Sequence, residues 1–112
     1  MSILPQDQIL DLFGAAVASG LAAPGLQNTL LGGINPYFTG LIRDDPTANG
    51  RLLNTLYTMN ATERLTDGTV PLRIWLGNAA ALTTGREHAK TFRQALDEVD
   101  HRVSGSPRPP RP

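Results

Sequence analysis

The chain has no cysteine. Disulfides, thiolate chemistry and cysteine-type zinc sites are excluded together. No apolar run approaches the roughly 18–20 residues that a membrane-spanning helix needs, and the first residues are not a secretory leader, since they carry no basic residue and Asp7 and Asp11 interrupt the apolar pattern. These features point to a soluble, cytoplasmic protein with no membrane partner. Excess charge of either sign is also missing: ten basic residues balance ten acidic ones. A nucleic-acid-binding domain usually carries a clear basic excess, so nucleic acid is not the expected partner. Lysine is nearly missing, since nine of the ten basic residues are arginine. Arginine suits fixed bidentate pairing with carboxylates, but a high-GC coding bias enriches it as well, and composition alone leaves both explanations open. Aromatic residues make up 5% of the chain, with one tryptophan. At 112 residues, the chain can bury roughly 65% of its unfolded surface, enough for one core without covalent staples.

The chain is organised around Asp67-Gly68-Thr69-Val70-Pro71-Leu72-Arg73-Ile74-Trp75-Leu76-Gly77-Asn78-Ala79. Asp-Gly is a turn dipeptide. Thr69 is placed to cap a helix, and Pro71 fits the first helical turn, where a missing N–H costs little. With Trp75 at the centre of one face, Leu72, Leu76, Ala79 and Leu82 fall beside it at the spacing of a buried stripe. This helix is expected to run to about Thr83 and to be the hub on which the others pack. Gly77 inside it suggests that another helix crosses closely there. Ile74 and Ala81 lie off the Trp75 side, which calls for a second covering element or a partner.

Before the hub, a first helix is expected over 5–19, with Ile9, Leu10, Phe13, Ala16 and Val17 on its apolar face and Gly20 as its stop. A short helix follows Pro24, carrying Leu26, Leu30 and Leu31 and ending at Gly32-Gly33. Asn35-Pro36 starts another of about two turns, carrying Tyr37, Phe38, Leu41 and Ile42. Asp45, before Pro46, is the expected cap of a helix with Leu52, Leu53, Leu56 and Tyr57, although Asn49-Gly50 is also a turn signal and could delay its start. That helix should end near Asn60, a residue that tolerates a left-handed conformation. The stretch 61–68 is a loop anchored by Leu65.

After the hub, Thr84-Gly85-Arg86-Glu87 matches a capping box and should open a last helix with Ala89, Phe92, Leu96, Val99 and Val103 in one stripe. Glu87–Lys90 and Arg93–Asp97 are spaced to pair on its outer side. From Ser104 onward the sequence turns to Ser, Gly, Pro and Arg, the composition of an extended, disordered linker. No stretch alternates convincingly enough to be a strand. The expected fold is all-α: a compact six-helix bundle over 1–103, with a linker or tail over 104–112 that could lead into a further domain. The expected core includes Phe13, Leu53, Leu56, Leu72, Trp75, Leu76, Phe92 and Leu96.

Catalytic or cofactor chemistry finds little support. His88 and His101 are thirteen residues apart on the last helix, too far to chelate one metal as a local pair. Asp44-Asp45 before a proline reads more simply as a loop and cap than as a metal or acid–base pair. Ser2, Ser19, Ser104 and Ser106 lie at termini or helix ends, outside any nucleophile-elbow context. Gly32-Gly33 lacks the Lys-Ser/Thr of a phosphate loop. No enzyme activity, cofactor, metal or small-molecule substrate is expected.

The run Asn60-x-Thr62-x-Arg64-Leu65-x-Asp67-Gly68-Thr69-Val70-Pro71-Leu72-x-x-Trp75-Leu76-x-Asn78-Ala79, followed by Arg86-x-x-Ala89-x-x-Phe92-x-x-Ala95-Leu96, resembles the carboxy-terminal half of bacterial effector-associated domains, also described as death-like domains. The resemblance implies a six-helix, death-fold-like adaptor without catalytic residues. Such adaptors join a sensor to an effector, such as a peptidase or a nucleotide-dependent ATPase, in bacterial defence or signalling. The partner implied is a related helical domain on another chain or a copy of itself, with a fused or neighbouring effector. Candidate contact residues are acidic Asp44 and Asp45 against basic Arg64, Arg73, Arg86 and Arg93. Two alternatives stand beside this expectation. One is a domain that regulates a downstream enzyme in cis without intermolecular assembly. The other is a helix-turn-helix DNA binder, disfavoured because its reading helices would hold too few basic residues.

Overall fold

The computed structural model describes residues 3–42, 45–62, 64–65 and 68–103, with Pro24 described by its backbone alone. Among the described residues there are six helices and no strand: α1 (Gln6–Ala18), α2 (Pro24–Leu30), α3 (Pro36–Thr39), α4 (Ala48–Asn60), α5 (Pro71–Leu82) and α6 (Ala89–Val103). The all-α, six-helix expectation therefore holds. The tail over 104–112 and the Asp67 half of the Asp-Gly turn lie outside the described residues.

Proline marks the starts. Pro24, Pro36 and Pro71 occupy the first turns of α2, α3 and α5, where the amides have no intrahelical acceptor to lose. Pro5 stands one place earlier, at the N-cap of α1. Asn35 caps α3, its Oδ1 accepting the Tyr37 N–H at 2.9 Å. Thr69 does not cap α5. Its carbonyl accepts the Leu65 N–H at 2.7 Å to close the preceding loop, and the extended residue at the cap position is Val70.

Two ends have chemistry that the sequence only half discloses. At the end of α1, the Leu21 N–H reaches the Ala16 carbonyl and the Gly20 N–H reaches that of Val17, with Gly20 at φ +80. This paired closure needs a left-handed residue, which glycine adopts without strain. At the end of α5, Thr83 Oγ1 donates to the Ala79 carbonyl and Thr84 Oγ1 to those of Ala80 and Ala81. The Thr84 hydroxyl thus finishes α5 instead of opening a capping box, and α6 begins only at Ala89.

The core assembles on α5, which packs most extensively on α6 and also meets α2 and α4, while α1 lies on α4 and α6. Trp75 is 1% exposed and meets Phe92 of α6 edge to face, ring centroids 6.0 Å apart and planes at 71°. Leu72, Leu76 and Ala79 are buried beside it. Leu82 is not: the buried edge of the last turn passes to Thr83, and Leu82 is exposed. On the other side of α5, Ile74 is half-buried against the core, close to the turn at Gly33. Asn78 Nδ2 donates to the Leu30 and Gly32 carbonyls at 2.8 and 3.0 Å. The end of α2 therefore covers that side, but not Ala81, which is exposed.

The expected faces of α1 and α4 need correction, while the stripe of α6 holds. In α1 the buried residues are Ile9, Leu12, Ala15 and Ala16, with Phe13 half-buried and Leu10 and Val17 exposed. Apolar residues surround this helix, so periodicity does not choose the arc; packing on both α4 and α6 does. In α4 the buried set is Leu52, Thr55, Leu56, Met59 and Asn60. Leu53, expected in the core, is half-buried and outside the group packed on it, and Tyr57 is exposed. In α6, Ala89, Phe92, Ala95, Val99 and Val103 are buried and Leu96 is half-buried against them.

Gly77 is not a close crossing point, because a Cβ placed there would meet nothing within 4 Å. Its helical conformation suits alanine, so Gly77→Ala is expected to raise stability by up to about 1 kcal/mol through helix propensity and reduced unfolded-state entropy. Thermal unfolding checks this, with a higher midpoint in the variant.

Candidate interaction surface

The chain entering α4 shows how one of the predicted contact residues is used. Asp45 Oδ1 accepts from both the backbone N–H and the hydroxyl of Thr47, at 2.8 and 2.7 Å. Thr47 Oγ1 in turn accepts the Gly50 N–H at 3.0 Å and is the true cap of α4. Asn49-Gly50 lies inside the first turn; a Cβ on Gly50 would come within 2.4 Å of Asp45 Oδ1. Glycine is therefore what lets the carboxylate and the cap share the space. The Thr47 backbone N–H, and then its hydroxyl, hold the Asp45 carboxyl below its ordinary pKa. Asp44 lies outside the described residues.

The arginines divide. A groove of about 630 Å³ runs between the loop before α5, the first turn of α5 and the last turns of α6, and both Arg64 and Arg73 line it, with Asp97, Asp100 and His101 opposite. Arg64 Nη2 donates to the Val103 carbonyl at 2.8 Å, placing a cation at the negative end of α6. Arg73 is ion-paired with Asp100. Both partners of that pair are about half exposed, 57% and 44%, so water screens it and its worth is about 0–1 kcal/mol. Arg86 sits in the turn after α5, past the end of the helix whose first turn holds Arg73, and Arg93 lies exposed on α6. Of the four candidate arginines, Arg64 and Arg73 line that one groove together. Along α6 the pair formed is Glu98–Arg102 at 2.6 Å; among the described residues Glu87–Lys90 and Arg93–Asp97 do not pair.

Sequence periodicity misses the most exposed apolar residues. Because α3 is a single turn, only Phe38 reaches the core, at 4% exposed, while Tyr37 is 89% and Leu41 74% exposed. These two, with Asn35, Phe38, Leu65 and Arg64, line a shallow depression of about 260 Å³. Arg64 borders both this depression and the charged groove. An exposed aromatic ring beside an arginine is the composition typical of the residues that dominate protein–protein contacts. The signal available in the sequence was the spacing of Tyr37 and Leu41 around a helix too short to bury both.

Among the described residues, no group of three His, Asp or Glu side chains could hold a metal ion, and no helix is long and apolar enough to cross a membrane. A family model described as Effector-associated domain 5 matches residues 3–112. No curated protein and no solved structure matches the chain.

Proposed function

The chain belongs to the effector-associated domain 5 family, and from that premise we propose that it is a non-enzymatic adaptor. It couples a sensor to an effector, such as a peptidase or a sensor ATPase, through contacts between like helical domains on different chains in bacterial defence or signalling. The observation that carries this proposal is the match over nearly the whole chain to a family defined by association with effectors. The surface is compatible with it. Zero net charge lets two copies approach without long-range repulsion, and Tyr37 and Leu41 offer exposed apolar area outside the core.

Isothermal titration of the purified chain with related domains carried by effector proteins tests the proposal. Saturable binding that weakens as salt is raised is the expected result. Absence of binding to every related domain, together with a monomer at millimolar concentration, overturns it. In that event, an altered activity of a fused enzyme on deleting 1–103 would establish cis regulation instead.

A further inference from the structure

Resting on the adaptor proposal, we infer which two faces meet: the Tyr37–Leu41–Arg64 face of one copy docks on the outer face of α1 of a second copy. Residues 7, 10, 11, 14 and 17 follow one another at the spacing of a single helix face. Asp7, Leu10, Asp11, Gly14 and Val17 are all exposed. This face joins two carboxylates to two aliphatic side chains, with Leu10 at 44% and Val17 at 36% exposed. The α3 face joins an aromatic and an aliphatic side chain to one guanidinium. Each therefore supplies the charge the other lacks. Arg64 spends one N–H on Val103, and the rest of its five-donor fork is available to a carboxylate.

Gly14 belongs to the same face. It stands in the interior of α1, where glycine weakens a helix relative to alanine. As at Gly77, a Cβ there would meet no atom within 4 Å, so the position is open. It lies between Leu10 and Val17, on the same exposed face, where the missing side chain leaves a shallow seat in which a partner's ring can approach the helix backbone. Tyr37, 89% exposed, is the side chain with the reach and flat surface to fill it. The contact joins unlike patches, so its geometry either closes into a ring or propagates into an open assembly.

Sedimentation velocity over a concentration series, on the full chain, tests the assignment. The wild-type chain is expected to self-associate. Tyr37→Ser, at a position whose exposure keeps the fold intact, should weaken association about tenfold or more, the loss typical of an interface anchor. Gly14→Gln should separate folding from docking, raising the thermal midpoint while weakening association. Arg64→Glu and Asp11→Arg should each weaken association alone, and a mixture of the two variants should recover it, because their reversed charges again complement each other. Wild-type association that neither Tyr37→Ser nor Gly14→Gln weakens overturns this pairing of faces and leaves the adaptor proposal standing. A wild-type chain that stays monomeric also overturns it, and the titration with related domains then decides the adaptor proposal separately.

Discussion

Trp75→Ala is expected to remove about 3–5 kcal/mol of folding stability. A domain of this size has roughly 5–15 kcal/mol in total, so the variant should be largely unfolded near physiological temperature or unfold far earlier on heating. The size of the effect comes from position. Trp75 is 1% exposed at the helix that meets α2, α4 and α6, so its loss is felt across the core. Part of the loss is specific to the edge-to-face contact with Phe92, an arrangement worth about 0.5–1.5 kcal/mol beyond area burial. Trp75→Phe should therefore fall between wild type and alanine. Urea unfolding followed by far-ultraviolet circular dichroism measures all three without using the indole as the probe. An alanine variant as stable as wild type would mean that α5 is not the hub.

Asn60→Ala is expected to cost about 2–4 kcal/mol, a large effect for a small polar residue, because it leaves two buried groups unsatisfied. Asn60 Oδ1 accepts the Leu4 N–H at 2.7 Å, and its Nδ2 donates to the Leu4 carbonyl at 3.0 Å. The Asn60 backbone carbonyl also accepts the Ile3 N–H at 3.0 Å. The side-chain amide thus pairs with Leu4 as another backbone strand would, and ties the N-terminus to the end of α4. Leu4 is 1% exposed, so water cannot replace the lost partner. Asn60→Asp adds a test with a sign. A carboxylate keeps the acceptor but loses the donor, and burial disfavours its charge, raising the folded-state pKa above the unfolded value of about 3.9. The folded state then binds more protons than the unfolded one, so stability falls as pH rises through that window. Urea midpoints of Asn60→Asp should approach wild type in acid and fall behind toward neutrality; a pH-independent gap would contradict the burial of this group.

Helix starts were legible because proline and Asn35 act within one turn of themselves. The hub was legible because Leu72, Trp75, Leu76 and Ala79 share a stripe that no other register of α5 could bury as well. The faces of α1 and α4 were not, since Leu10, Leu12, Phe13 and Val17, or Leu52, Leu53 and Leu56, offer more than one apolar arc. Only the positions of the neighbouring helices decide between them. The capping box at Thr84 failed for a similar reason: the same hydroxyl can donate backward to Ala80 and Ala81 or accept forward, and local spacing cannot tell which. Asn60 could be read as a helix stop, but its bond to Leu4 spans 56 positions, beyond any local signal. Of the charged groove, the sequence disclosed Arg64 and Arg73 as candidate residues. It did not disclose that Asp100 neutralises Arg73, or that the one-turn length of α3 strands Tyr37 and Leu41 in solvent.

The proposed adaptor works through its outer surface, on another domain of its kind. The direct measurement is a two-dimensional NMR titration of the isotope-labelled chain with an unlabelled second copy or related domain. Amide resonances should move around Tyr37, Leu41 and Arg64 and along the outer face of α1, while those of the Trp75 core stay in place. Spectra that do not change at any concentration of either partner would contradict it.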